Sequence, residues 1–416
     1  MSGYAAGVPR QRKVVSVLVA GQIFGGVGMG ATLSLGSLLA AELSGSPAWS
    51  GMAATMSTLG AAIAAVPLAR LAAARGRRLS LSTGAFIAGT GAVLAITSAL
   101  VSIFPLLLVG LMLLGAGSAV NLQARFAATD LAQQGTRARD LSIVIWSTTI
   151  GAVLGPNLFG PGETVGAFLG LPPLTGAFAF SVAAQLAAAF VYLTGLRPDP
   201  LLAAMSIRDT SVQLPRARSG TLILRQNPRA RYAVAAVALS HATMVALMSM
   251  TPIHLREHGA SLVIVGFTIS LHIAGMYALS PVFGWLADKA GRLRVVLLGQ
   301  AMLLASLLTA GVAADSRAAV AVSLILLGLG WSASVVAGSA MVAESVQIQD
   351  RPALQGISDL TMNAAGAVGG ALAGPVLAWV GYSGLGFLAI ALVAVVVIWT
   401  ALQTSALPPS RKPAET

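Results

Sequence analysis

The sequence predicts an all-α membrane protein with twelve transmembrane helices arranged as two pseudo-symmetric six-helix bundles. Three observations predict it. The 416 residues are 56% hydrophobic and 9% charged, with mean hydropathy +0.84, whereas a soluble chain carries about 25% charged residues. Apolar runs long enough to cross a bilayer recur along the whole chain, and they are continuous, which selects helices over a barrel of alternating strands. The basic residues, finally, collect on alternate connections.

The spans are expected at roughly 14–40, 50–74, 79–101, 104–128, 140–160, 174–196, 231–253, 261–285, 294–314, 318–343, 354–379 and 382–404. The first follows Arg10, Arg12 and Lys13, as a signal peptide would. Its apolar run is too long for one, and a second span follows directly, so it reads as an uncleaved helix. With both termini cytoplasmic, the inner segments hold 22 lysines and arginines and the outer loops hold two, Arg256 and Arg317. This is the positive-inside pattern. It explains the net charge of +12 by topology, with no nucleic-acid partner. The expected setting is a bacterial plasma membrane.

Residues 197–230 form the longest polar stretch, with Pro198, Pro200, Pro215 and Pro228 and a run of arginines. They read as a cytoplasmic linker between an N-terminal bundle, 1–196, and a C-terminal bundle, 231–416. The bundles repeat each other weakly at an offset near 214: LLGAG at 113–117 matches LLGLG at 326–330, and ARGRR at 74–78 matches KAGRL at 289–293. Repeated halves are a mark of secondary transporters, whose substrate site lies near the midplane between them.

Enzyme chemistry is excluded motif by motif. There is no cysteine, so no disulfide, thiolate metal site or thiol nucleophile. There is no phosphate loop, Gly-x-Ser-x-Gly or His-Glu-x-x-His, and therefore no built-in ATP drive and no cofactor. The partners implied are the lipid bilayer and a small solute or metal ion, with the chain acting as a monomer.

Inside spans, Arg125 in NLQARFAATD of helix 4 and Asp359 in GISDLTMN of helix 11 stand out as charges. Intramembrane charges are costly unless paired or facing water, so each is a functional candidate. Arg125 is also close enough to the inner surface to snorkel there.

The stretch GWLADKAGR, Gly284 to Arg292, falls between helices 8 and 9. It resembles the signature loop of the major facilitator superfamily, Gly-x-Leu-Ala-Asp-x-x-Gly-Arg. Gly284, Asp288, Gly291 and Arg292 match it. The first-half copy, ARLAAARGR at 69–77, is degenerate: Ala69 replaces the glycine and Ala73 the aspartate. A first-half gate that works differently is expected. The resemblance implies the major facilitator fold, with helices 4, 5, 10 and 11 forming an inner gate. On that basis Arg125 and Asp359 should meet across the halves, and Asp288 should cap the start of helix 5 around Arg139 to Leu141. GAVLGPNLFGPG at 151–162 resembles a motif linked to antiporters, which would favour efflux. Gly374-Pro375 repeats its style in the other half, which favours architecture instead.

Helices 7 and 8 carry SHATMVALMSM at 240–250 and SLHIAGMYALSP at 270–281. Met244 and Met248, and then His272 and Met276, are each four apart and share a helix face near the midplane. His241 precedes Met244 by one turn, and His254 and His258 lie at the outer mouth. Thioether and imidazole together suit copper(I). The two pairs resemble the metal motifs of the CcoA-like (CalT) copper importers, which would make Met244, Met248, His272 and Met276 a metal site with copper as cargo. Packing alone would also explain the methionines. Two further readings remain open: proton-coupled efflux of drug-like compounds, and uptake of a vitamin-like solute such as riboflavin. Near the midplane of helices 7 and 8 only Phe267 and Tyr277 are aromatic, which weighs against an organic solute.

Overall fold

The computed structural model describes residues 7–45, 49, 52–133, 135–208, 218–260 and 262–405. Pro215, Arg216, Arg411 and Lys412 lie outside them. The described residues are helical almost throughout. The first half comprises α1 (Gly7–Ser44), α2 (Met52–Arg75), α3 (Arg77–Leu100), α4 (Phe104–Ala127), α5 (Arg137–Asn157), α6 (Phe159–Phe168) and α7 (Gly176–Gly195). Two short helices follow, α8 (Pro200–Arg208) and α9 (Gly220–Gln226). The second half comprises α10 (Pro228–Glu257), α11 (Leu262–Tyr277), α12 (Ser280–Ala290), α13 (Arg292–Val312), α14 (Arg317–Glu344) and α15 (Arg351–Ser405). Among the described residues nine helices are long and apolar enough to cross a membrane.

Four expected spans differ in detail, each for a local reason. The eighth is broken into α11 and α12 at Ala278–Leu279. Pro281 has no N–H to give Tyr277 O, and the Ser280 hydroxyl donates to that carbonyl instead, at 2.7 Å. The fifth is likewise divided at Leu158, where Pro161 cannot bond back to Asn157. The eleventh and twelfth run together as one 55-residue element. They are two helices joined at Gly381, whose φ of 70° breaks the helical path and suits a residue without Cβ.

Each half has its own apolar interior. Leu18, Leu81, Ala85, Val120, Val144 and Tyr192 form one cluster of the first half. Leu303, Leu307, Leu324, Leu327 and Val335 anchor the largest cluster of the second. Buried polar side chains inside the helices find one another: Gln300 Nε2 donates to Ser240 Oγ at 2.8 Å and Ser334 Oγ at 3.0 Å.

The described parts of the 197–230 stretch are built structure. Ser219 caps α9, accepting from Leu222 N at 3.3 Å. Leu201 and Ala204 of α8 pack on Ile348, just before α15, beside Leu131, just after α4. Arg218 holds Asp350 through its backbone N at 2.9 Å and through Nε at 2.9 Å and Nη2 at 2.7 Å. These described parts thus touch connections of both halves on the face where the basic residues lie.

Candidate transport site

On that basic face α12 crosses α5 at very close range. A Cβ on Gly284 would sit 2.6 Å from Ala138 O and overlap Ser142 Oγ, so only glycine fits. Four residues on, Asp288 accepts from Ala138 N at 3.1 Å and Arg139 N at 2.8 Å. These are unpaired amides at the start of α5, where the helix dipole favours a carboxylate. Arg292 Nη2 lies 2.6 Å from Asp288 and 2.9 Å from Glu344, and Arg137 Nη1 lies 3.6 Å from Glu344. Gly291 turns the chain between α12 and α13 with φ of 101°.

The degenerate first-half loop makes the same crossing with its parts exchanged. At an offset of 214 or 215, Arg77 corresponds to Arg292, Asp130 to Glu344 and Arg351 to Arg137. Arg77 is fully buried, and its Nε donates to Asp130 at 2.8 Å. Its Nη2 reaches Gln355 of α15. Arg351 Nη1 lies 4.0 Å from Asp130 and donates to Thr129 O at 3.3 Å. Where α12 offers Gly284 to Ser142 of α5, α2 offers Ala69 to Gly356 of α15, and a Cβ on Gly356 would come 2.5 Å from that of Ala69. The glycine has changed sides of the contact. No carboxylate stands at Ala73. Asp199 of the linker instead accepts from Arg78 N at 2.7 Å, at the start of α3.

Deeper in, the halves meet at Arg125 and Asp359. Arg125 Nη2 is 2.7 Å from Asp359 Oδ1, with the two side chains 2% and 0% exposed. Arg125 does not snorkel. Its guanidinium also packs over Phe126 at 4.8 Å, and its Nη2 is 4.0 Å from Met362 Sδ. His241 of α10 and Tyr277 of α11 both lie within its electrostatic reach.

Around this pair the second half presents an aromatic wall that the sequence did not announce. Trp331 Nε1–H of α14 donates to His241 Nδ1 at 3.0 Å, and its indole meets the edge of Tyr277 at 5.8 Å. Trp331 is 5% exposed. Its position on α14, far in sequence from helices 7 and 8, hid it from a reading of those helices alone. Phe267 is exposed on the outside and does not join the wall.

Met244 and Met276 are buried in one apolar cluster, and Met248 packs against it. His272 is fully buried one turn before Met276. Its Nδ1 bonds Leu324 O at 2.8 Å, and its Nε2 has no hydrogen-bond partner among the described residues. His254 and His258 line a different cavity of about 460 Å³ at the opposite face, with Asp315 and Tyr382. His254 stacks on Tyr382 at 4.1 Å, and His258 Nε2 is 3.4 Å from Asp315.

Known proteins resemble this chain in sequence and in fold. The profile of the Major Facilitator Superfamily matches residues 17–271 and 232–416. The MFS-type transporter YddS of Bacillus subtilis is 39% identical over 381 residues, 89% of this chain and 86% of that protein. The riboflavin transporter RfnT of Brucella anthropi is 29% identical over 394 residues, 93% of this chain and 94% of that protein. The crystal structure of the human organic anion transporter MFSD10 superposes with a TM-score of 0.74 at 15% identity, covering 94% of this chain and 99% of that one. The chain belongs to the Major Facilitator Superfamily: it is a multi-pass membrane transporter of a small solute, and not an enzyme.

Proposed function

We propose that this transporter carries a small aromatic organic solute, held at the centre between the halves by Arg125, His241, Tyr277 and Trp331. The observation that carries this reading is the aromatic wall of Trp331 and Tyr277 beside a buried guanidinium. Aromatic faces stack on planar rings, and guanidinium offers several hydrogen-bond donors and a charge for a polar or anionic group. The 29% identity to a riboflavin transporter along nearly the full chain adds to it. Arg125 and Asp359 act as the central tie of a gate on the basic face, with Asp288, Gly284, Gly291 and Arg292 forming its second-half crossing and Arg77, Asp130, Arg351 and Gln355 its first-half crossing. Solute binding competes for Arg125, loosens the tie and allows the halves to rock. The test is growth. A bacterium unable to make riboflavin, given this gene, should grow on less external riboflavin than without it. Equal demand with and without the gene, at verified expression, counts against the reading.

A second reading, copper carriage, rests on a different observation: Met244 and Met276 share one buried cluster with Met248 packed against it, and the fully buried His272 keeps Nε2 unpartnered among the described residues. That donor set suits copper(I). Cellular copper content with and without the gene decides it.

A further inference from the structure

Two buried acceptors of the first half, on α1 and α4, have no donor among the described residues. Gln22 of α1 is 3% exposed. Its Nε2 is fully used, donating to Thr148 Oγ1 of α5 at 3.0 Å and to Asn121 O of α4 at 3.4 Å. That fixes the amide and leaves Oε1 buried without a donor among the described residues. Asn121 Oδ1 is buried and unpaired among the described residues too. It is seated over Gly25, where a Cβ would come within 2.9 Å of it. Asn121 lies one helical turn before Arg125, on the same face of α4. That face meets the second half: Arg125 reaches Asp359, and Leu122 packs on the second half's main cluster.

A buried acceptor left unpaired is costly, and native structures hold few of them. Two on adjacent helices, one of them a helical turn from Arg125, mark a place where a ligand supplies donors. We infer that Gln22 and Asn121 are the specificity-determining residues of the transport site, and that its substrate is a planar heteroaromatic solute whose edge bears N–H or O–H donors directed at Gln22 Oε1 and Asn121 Oδ1. The ring lies against Trp331 and Tyr277. The inference rests on the aromatic-solute reading above and adds the edge chemistry to it.

The test uses the purified full-length chain and two probes, riboflavin and 3-methylriboflavin, which differ in one ring N–H replaced by N–CH3. Binding is read by quenching of flavin fluorescence. The wild-type chain should bind riboflavin about tenfold or more tightly than the methylated probe, as expected for one buried acceptor left unsatisfied. In Asn121→Leu or Gln22→Leu, whichever residue takes that N–H, the ratio should fall to near one. Asn121→Asp and Gln22→Glu keep an acceptor oxygen and should keep the preference. The ratio is internal to each variant, so reduced yield does not blur it. Equal binding of both probes by the wild-type chain overturns the assignment of Gln22 and Asn121 while leaving an aromatic solute in place. Binding of neither probe removes the aromatic reading and this inference with it.

Discussion

Replacing Arg125 by leucine keeps an apolar stem in the seam and strands Asp359. The carboxylate is 0% exposed and has one oxygen, Oδ2, without a partner among the described residues. Removing one member of a buried pair costs roughly 3–5 kcal/mol, because the remaining charge is left uncompensated. A single unit-charge interaction at about 4 Å and an effective dielectric near 20 gives a similar figure, about 4 kcal/mol. The pair joins α4 to α15, so this cost falls on the state closed at the basic face. A loss of 3–5 kcal/mol shifts that equilibrium by a factor on the order of a hundred to several thousand. The chain has no cysteine, so Met362→Cys gives a single reporter beneath the pair. Met362 is 1% exposed. In the Arg125→Leu background a membrane-impermeant maleimide added from the basic face should label it far faster, and transport should fail. Arg125→Asp with Asp359→Arg restores a pair of opposite sign and should recover part of the transport lost in either single variant. Unchanged labelling, or a double variant as inactive as the singles, refutes the reasoning.

Three further outcomes follow from the same geometry. Gly356→Ala should slow transport, since overpacking costs about 1–3 kcal/mol and the new Cβ would sit 2.5 Å from that of Ala69. Adding Ala69→Gly should return the rate toward wild type in the same uptake assay. Asp288→Asn removes the charge from the two amides of α5 and from Arg292, worth about 1–2 kcal/mol. Labelling of the basic-face reporter should rise while the solute Kd stays the same, and a changed Kd with unchanged labelling argues against a gating role. Met244→Leu with Met276→Leu keeps the apolar cluster filled, so riboflavin-dependent growth and cell copper should both match wild type. A selective loss of copper would favour the second reading.

Much of the fold was legible because bilayer chemistry leaves few options. Long apolar runs must be helices, and the uneven placement of arginine orders their connections. The candidate site was legible where charge or a local motif marked it. Arg125 and Asp359 stand out as charges in apolar spans, and Asp288 as the acid of a loop; the structure places all three against the neighbours expected of them. The exchanged glycine at Gly356 was hidden, because a small residue in a glycine-rich helix carries no signal until the facing Ala69 is known. Trp331 was hidden for a similar reason: its meaning lies in His241 and Tyr277, which are brought to it by packing across α10, α11 and α14. The degenerate loop at 69–77 announced a missing carboxylate correctly. It could not announce that Asp199 of the linker would cap α3 in its neighbourhood.

The central claim is that the seam between the halves carries an aromatic solute at Arg125 and Trp331. The most direct measurement is uptake of labelled riboflavin and of copper, side by side, by the purified chain in liposomes. Saturable riboflavin uptake, abolished by Trp331→Leu and by Arg125→Leu, with copper no higher than in empty liposomes, is the predicted result. Copper uptake without riboflavin uptake, or riboflavin uptake unaffected by both substitutions, contradicts the account.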